Sequence, residues 1–499
     1  MNANDLNHRE ILTKIADRAM LEQGLLPDFS KEALADLDRI QSPAKFEEGT
    51  TRGSSDIRDM RGLLWSSIDN DDSLDLDQIT VAEAMPGDRY KVLVAIADVD
   101  ALVKNGAAID DHARHNTTSV YTAAIIYPML PEKLSTDLTS LKFNEDRLSI
   151  VIEMLINADG SLETSDIYQA VVRNRAKLAY DSVATWLEGN GPIPLEITAI
   201  SGLAENLRLQ DNVAQKLKNF RHAQGALSLE TIEAKPIFDG DQIRSLEIEE
   251  ENRARQIIED FMIASNGVTA RYLTAHQFPS IRRVVRTPKR WDRIVEIAAK
   301  NKYKLPPIPN SKALEEFLQS QKTADPVHFT DLSLVVIKLL GAGEYVAEMP
   351  DKEVPGHFGL AVKDYSHSTA PNRRFPDLLT QRLLKAALEN KPIPYSNDEL
   401  NALALHCTEA EDAADKVERL VEKSAAALLL SSRIGERFDA VVTGTSEKGT
   451  WVRLLSIPVE GELVHGYDGL DVGEKVRVQL ISVNVDRGFI DFKKVGYSS

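Results

Sequence analysis

Ser67-Ile68-Asp69-Asn70-Asp71-Asp72-Ser73-Leu74-Asp75-Leu76-Asp77-Gln78 is the stretch around which the rest of the chain is organised. It holds five aspartates, Asp69, Asp71, Asp72, Asp75 and Asp77, and no lysine or arginine. Carboxylates crowded together repel one another and hold their protons more tightly. A divalent cation removes that cost, and oxygen-only donors suit Mg²⁺, Mn²⁺ or Ca²⁺. A charge run is more often a solvated face. Here Ile68, Leu74, Leu76 and Ile79 interleave with the acids, which predicts a loop pinned to a core. Gly62-Leu63-Leu64-Trp65 before it reads as a strand. A calcium EF-hand loop does not fit, because Leu74 stands where its turn glycine belongs and Thr80 where its bidentate glutamate belongs.

The 499 residues are enough for several domains with substantial cores. No apolar run approaches the ~20 residues that span a bilayer. The first residues lack a basic segment followed by an apolar one. The single cysteine, Cys407, excludes an intrachain disulfide and predicts a reducing, cytoplasmic setting. The net charge of −18 and pI near 5.1 argue against a protein that coats nucleic acid nonspecifically. They leave open a nucleic-acid enzyme with a local basic channel. No glycine-rich phosphate loop ending in Gly-Lys-Ser/Thr supports a nucleotide enzyme.

Residues 1–55 read as a helical N-terminal extension. Leu12, Ile15, Met20, Leu21 and Leu25 recur at helical spacing, and Ser30 caps a second helix to Ile40. Packing against the next domain is favoured over a lid or a helix-turn-helix. Phe46 to Asp59 reads as a linker. Tyr90 to Ala97 is a buried strand, and Leu148 to Asn157 pairs with Leu162 to Val172 as a hairpin. Helices follow at Tyr180–Glu188, Gly202–Ala223, Glu249–Ala275, in the Thr287–Leu340 region, at Pro376–Asn390 and at Ser396–Arg433. Arg208, Lys216, Lys218, Arg221 and His222 make one helix either RNA-facing or merely solvated. Between Gly435 and Phe492 five short strands predict an OB-fold barrel. In it Trp451, Tyr467 and Phe489 are candidates to stack on bases and Arg453, Arg487 and Lys493 to meet phosphates. Phe489 is expected in the barrel core, and Trp451 is left between core and surface. The fold class is α+β: a mixed catalytic domain of sheets covered by helices (56–432), then a small all-β barrel (433–499).

Asp69, Asp75 and Asp77 stand at offsets zero, six and eight. If the segment is extended, Asp75 and Asp77 share a face. Two divalent ions ~4 Å apart activate a water and stabilise a leaving oxygen in phosphodiester hydrolysis, and such a loop can hold them. The spacing resembles the signature of the RNB family, the ribonuclease II and ribonuclease R exoribonucleases: Asp, five residues, Asp, one residue, Asp, Asp. Gln78 stands at the fourth aspartate and keeps an oxygen while losing a charge. A second stretch, Tyr365-Ser366-His367-Ser368-Thr369-Ala370-Pro371-Asn372-Arg373-Arg374-Phe375-Pro376-Asp377, resembles the family's Tyr-x-His-Phe-Thr-Ser-Pro-Ile-Arg-Arg-Tyr-Pro-Asp. Ser368, Ala370, Asn372 and, beyond it, Gln381 depart from that pattern.

The resemblance implies that Asp69, Asp75, Asp77 and Gln78 hold Mg²⁺ (or Mn²⁺) and that Arg373 clamps the phosphate beside the scissile bond, aided by Arg374. It further implies that Tyr121 stacks on terminal bases, that Tyr180 and Glu259 hold the 3′ nucleotide, and that Glu418 roughly matches a helix glutamate near the site. Leu229 replaces a phenylalanine that pinches the last bases, which predicts looser control of product length. The barrel resembles the ribosomal S1-like domain that closes these enzymes, with Trp451 a candidate RNA contact. The family's two N-terminal cold-shock domains are expected to be absent, since ~50 residues hold neither comfortably, leaving a less enclosed RNA path. His112 and His115, spaced for a metal, read better as a solvated helix surface. The implied activity is Mg²⁺-dependent 3′→5′ hydrolysis of single-stranded RNA to nucleoside 5′-monophosphates by a monomer, with no membrane and no small-molecule cofactor. The alternative is a catalytically weak or inactive RNA-binding protein on the same fold.

Overall fold

The computed structural model describes residues 7–46, 51–52, 55–231, 234–248, 251–326, 328–446, 449–470 and 472–496. Its centre is a seven-stranded mixed sheet. The strands run across it in the order Ala176–Ala179, Ser66–Asp69, Gln78–Met85, Arg89–Ala97, Asp146–Ile156, Leu162–Arg173 and Arg58–Asp59. Asp146–Ile156 and Leu162–Arg173 form the expected antiparallel hairpin. Arg89–Ala97, buried on both faces from Val92 onward, is the inner strand that its unbroken apolar run predicts. The strand before the aspartates starts at Ser66; Gly62 to Trp65 form a turn and coil instead, closed by the Trp65 indole donating to the Met60 carbonyl at 2.8 Å.

Helices Leu203–Ala223, Arg253–Ala275 and Phe375–Leu388 cover the sheet and share its core, built around Trp65, Ile79, Leu93, Phe261, Phe375 and Leu379. The Leu203–Ala223 helix is tied down by polar groups: Asn206 Nδ2 donates to the Ala82 carbonyl at 2.7 Å, and Thr80 donates to Gln210 at 2.7 Å. Its cations are engaged internally. Arg208 lies over Trp186, Lys216 donates to the Ala158 carbonyl, Arg221 pairs with Asp260 and His222 meets Glu315. That helix is therefore packed structure, with Lys218 the remaining candidate for a solvated role.

Helices Trp291–Lys300, Ser311–Ala324 and Phe329–Leu340 build a separate small core around Trp291, Phe317 and Phe329. Helix Asn397–Leu430, opened by a capping box between Ser396 and Glu399, carries the chain to the barrel. Its last turn enters the barrel core, where Ala427 and Leu430 meet Phe438, Val452 and Phe492. The barrel is closed, with strands Arg437–Ser446, Gly449–Leu454, Glu460–His465, Phe489–Lys494 and Lys475–Asn484 in that order. Two expectations fail there. Phe489 is 56% exposed, because alternation along its strand turns Ile490 and Phe492 inward. Arg453 is committed to Asp331 of helix Phe329–Leu340 at 2.7 Å, so it ties barrel to helical module instead of facing phosphate.

The N-terminal segment packs as expected, and each helix carries a side-chain N-cap. Helix α1 (His8–Glu22) buries Leu12, Ile15, Ala16, Ala19 and Met20 against Ala410, Ala414, Val417 and Val421 of the Asn397–Leu430 helix. Leu21 falls on the outer face and is 64% exposed. Helix α2 (Lys31–Arg39) lies against α3 (Ala108–Asn116). The linker residues 47–50, 53 and 54 lie outside the described residues.

His112 is not on a solvated surface. Its ring packs tilted against Phe29, centroids 4.1 Å apart, and burial lowers its pKa to about 4. His115 Nε2 stands 2.8 Å from the Gly24 carbonyl. Both histidines fasten the N-terminal segment and neither is placed as a metal ligand. In the unfolded chain a histidine protonates near 6.5, so the native state binds fewer protons below that pH. The His112 contribution to stability is complete above pH 6.5 and falls on acidification toward pH 4, by at most about 1.4 kcal/mol per pH unit. Denaturant titrations of wild type and His112→Phe should differ by such a slope; parallel pH profiles would contradict it.

Candidate active site

Asp69 ends strand Ser66–Asp69, and Asp77 stands immediately before strand Gln78–Met85, so the acidic loop crosses from one strand to its neighbour. The loop is pinned from outside. Ser140 Oγ donates to the Leu74 carbonyl at 2.7 Å and accepts the Leu76 N–H at 3.1 Å, and the Leu141 N–H reaches the Leu76 carbonyl at 2.9 Å. Ile68, Leu76 and Ile79 are buried anchors, as expected, but Leu74 is 60% exposed. Asp71 and Asp72 face solvent. Asp69 Oδ1 accepts the Asn70 N–H at 2.8 Å and the Ser73 hydroxyl at 3.0 Å.

Asp77 joins the two motifs. It is 1% exposed. Its Oδ1 accepts the Asn372 backbone N–H at 2.9 Å, and Arg373 Nε stands 3.5 Å from its Oδ2. That Oδ2 is buried without a hydrogen-bond donor. Burial pushes the Asp77 carboxyl up to about 7; Arg373 pulls against this and Asp75 adds to it. Burial also raises Asp75, and Asp69 contributes in the same direction. An all-oxygen donor set with mutually repelling carboxylates and an orphaned buried oxygen fits a hard divalent cation. Among the described residues, no three His, Cys, Asp or Glu side chains are gathered closely enough to form a cage by themselves. Gln78 is buried, opposite Ile96 in the strand ladder.

The turn that carries Arg373 is held on three sides. Asp377 Oδ1 accepts the N–H groups of Thr369 and Ala370 at 2.8 Å each. Ser368 N–H and Oγ donate to Asn266 Oδ1 at 2.9 Å, fastening the turn to helix Arg253–Ala275. The Ser119 N–H donates to the Arg373 carbonyl at 2.9 Å, and the Phe375 N–H to the Thr117 carbonyl at 2.7 Å. Below it His367, buried and held neutral, meets the Tyr345 hydroxyl at 2.9 Å. The departures Ser368 and Asn372 are thus positions where the local chain supplies polar contacts, and Thr139 donates to Asn372 Oδ1 at 2.5 Å. Gln381 is likewise satisfied, donating to the Ala97 carbonyl and accepting the Asp100 N–H.

Arg373 and Arg374 part company. The Arg373 side chain remains 45% exposed, whereas Arg374 turns to Asp377 Oδ1 at 2.8 Å and braces the turn. Tyr121 is brought to the site: its hydroxyl lies 3.4 Å from Asp75 Oδ2, its ring is 41% exposed, and its N–H donates to Glu418 Oε1 at 2.7 Å. Tyr180 follows strand Ala176–Ala179, whose Ala179 pairs with Asp69. Arg255 lies 4.6 Å over the Tyr180 ring and donates to Asn70 Oδ1 at 3.1 Å. Exposed Glu259 lies one helical turn beyond Arg255 on the same face. Arg255 was not singled out from sequence, although its spacing of four from Glu259 was a usable signal. Leu229 is partly buried against the core of Trp291 and Phe317, and Glu315 holds its loop through the Ser228 N–H and hydroxyl. Trp451 is half-buried on the barrel, its ring seated against Gly444 and Gly449, where added β-carbons would meet it at 3.6 and 3.3 Å.

The RNB domain matches residues 57–390, and the RNase II-type exonuclease C-terminal S1 domain matches residues 436–495. The chain is 29% identical to ribonuclease R of Aquifex aeolicus over 470 residues, covering 88% of this chain and 65% of that protein. It is 30% identical to ribonuclease R of Escherichia coli over 475 residues, covering 88% of this chain and 57% of that protein. The chain thus spans between about half and two thirds of the length of these relatives. Among solved structures, Mycoplasma genitalium RNase R in complex with ribose methylated single-stranded RNA has a TM-score of 0.87 at 21% identity, covering 97% of this chain and 78% of that one. Yeast Ssd1, a pseudonuclease, has a TM-score of 0.72 at 14% identity, covering 94% and 57%. Those two likenesses establish the shared fold. With more than half of its 499 residues inside the RNB match, including both the aspartate loop and the arginine turn, the chain belongs to the RNB domain family.

Proposed function

We propose that the chain is a divalent-metal-dependent 3′→5′ exoribonuclease that hydrolyses single-stranded RNA to nucleoside 5′-monophosphates, acting in RNA decay or processing. The observation that carries this reading is the buried Asp77 carboxylate, with one oxygen held by the Asn372 N–H and the other lacking a donor beside the half-exposed Arg373. Family membership supports the reaction class; the polarity and the monophosphate product rest on the likeness of the two motifs to the ribonuclease II and R signatures. We assign residues 56–432 to catalysis and 433–499 to RNA binding. No helix among the described residues is long and apolar enough to cross a membrane, and the buried Cys407 suits the cytoplasm.

Asp69, Asp75 and Asp77, with Gln78 as a neutral oxygen, would hold Mg²⁺ or Mn²⁺, which when bound supplies an activated water and a sink for charge on the leaving oxygen. The Arg373 guanidinium, its Nε 3.5 Å from Asp77 Oδ2, presents its outer N–H groups to the phosphate and stabilises the charge that grows on its non-bridging oxygens. The exposed Tyr121 ring stacks on a terminal base, which any sequence permits. Glu259, on the Arg255 face beside Tyr180, accepts hydrogen bonds from the last ribose, whose 2′-hydroxyl distinguishes RNA from DNA. Leu229, in the wall of the helical module, gives no stacking surface, so short products should vary in length.

With 5′-labelled single-stranded RNA and Mg²⁺, the wild-type chain should give a ladder shortening from the 3′ end. Asp77→Asn and Arg373→Ala should each lower kcat by roughly 10²–10³-fold. Intact RNA that shifts on a gel with the wild type would favour a binding protein on the same fold.

Tyr121→Ala should act mainly on KM, by the equivalent of about 1–3 kcal/mol, with equal loss for purine and pyrimidine ends. Glu259→Ala should narrow the rate difference between RNA and DNA ends in a competition assay. An unchanged ratio would remove Glu259 from ribose recognition.

A further inference from the structure

Tyr121 sits on a hairpin too small to hold its own position. Its strands, Val120–Tyr121 and Ile126–Tyr127, pair through Val120 with Tyr127 and Tyr121 with Ile126. Two residues a side are well short of an independently stable hairpin. The alternation divides it: Val120 and Tyr127 point inward, 0% and 4% exposed, and Tyr121 and Ile126 point outward, 41% and 55% exposed. What covers the inner face is the Asn397–Leu430 helix together with the N-terminal helix. Val120 and Tyr127 share one apolar cluster with Leu12, Ile15, Ala16 and Met20 of α1 and with Val417 of the Asn397–Leu430 helix. Two polar contacts fix the register of α1 on the hairpin. The Tyr127 hydroxyl donates to Asp17 Oδ1 at 2.7 Å, and Arg9 donates to the Ala124 carbonyl of the hairpin turn at 3.2 Å. Burial and the Asp17 carboxylate both raise the Tyr127 pKa, so the phenol stays a donor.

We propose that helix α1 is a positioning element for the Tyr121 ring beside the Asn397–Leu430 helix, with Asp17 acting through Tyr127 to hold the hairpin against the aspartate loop. Asp17 acts on the strand opposite Tyr121 through the Tyr127 hydroxyl, while Glu418 Oε1 accepts the Tyr121 N–H. This assigns the N-terminal segment a part in substrate affinity, and it rests on the reading of Tyr121 as the base-stacking residue.

The test uses the full chain and the variants Asp17→Ala, Asp17→Asn and Tyr127→Phe. Hydrogen exchange should show faster exchange of residues 120–127 in Asp17→Ala and Tyr127→Phe, with Asp17→Asn restored because its amide oxygen still accepts. With a 5′-fluorescent oligoribonucleotide and Mg²⁺, Asp17→Ala should raise KM roughly three- to tenfold, the loss expected for one hydrogen bond of ordinary net strength, with kcat within about twofold. In a Tyr121→Ala background the same substitution should add nothing further. Unchanged exchange at 120–127, or a KM effect that persists in the Tyr121→Ala background, would overturn the proposal. A wild-type chain that leaves the RNA intact would sink the exoribonuclease reading instead, and the exchange data would still decide whether α1 sets the hairpin.

Discussion

The hydrogen bond from the Asn372 backbone N–H to Asp77, with Arg373 beside it, joins segments almost three hundred residues apart in sequence. A carboxylate so deeply buried is costly unless something compensates for its lost hydration. Asn372 and Arg373 do so in part, and Oδ2 is left without a hydrogen-bond donor. Much of the surrounding structure serves to hold those two segments at that separation. Ser140 pins the aspartate loop from one side. Asp377, Asn266 and the Thr117–Ser119 segment pin the arginine turn from the other.

The remaining elements fall into place around this contact. The parallel pairing of Ala179 with Asp69 delivers Tyr180 to one edge of the loop, and Arg255 ties that ring to Asn70. The Val120–Tyr127 hairpin delivers Tyr121 to the other edge, between α1 and the Asn397–Leu430 helix. That helix then runs into the barrel core, and the Arg453–Asp331 pair ties the barrel to the helical module. Among the described residues the site is therefore coupled to α1 and to the barrel through packed helices.

Several polar residues that look functional in sequence prove to have local partners. Arg374 has Asp377, Arg221 has Asp260, Arg453 has Asp331, and His112 lies on Phe29. Each satisfies a charge or a ring that would otherwise be buried alone, and except for Arg374 and Asp377, three residues apart, the partner lies far along the chain. Phe489 shows the converse: an aromatic expected inside the barrel lies outside because its place in the strand alternation points it there.

Local patterning carried the elements. The hairpin at 146–173, the five barrel strands, the capped helix after Ser396 and the N-terminal helices themselves are all set by periodicity, turn residues and caps acting over a few positions. The two motifs carried the family and most of the residues that meet at the site, because their spacing on a strand and a turn is itself local. What tertiary structure alone decided is which groups face one another: Asn372 under Asp77, Arg373 outward and Arg374 inward, Leu229 against the core of Trp291 and Phe317, and α1 beneath the Tyr121 hairpin. Those outcomes depend on long-range burial, where the need to pair each desolvated polar group selects one arrangement that no window of sequence can specify.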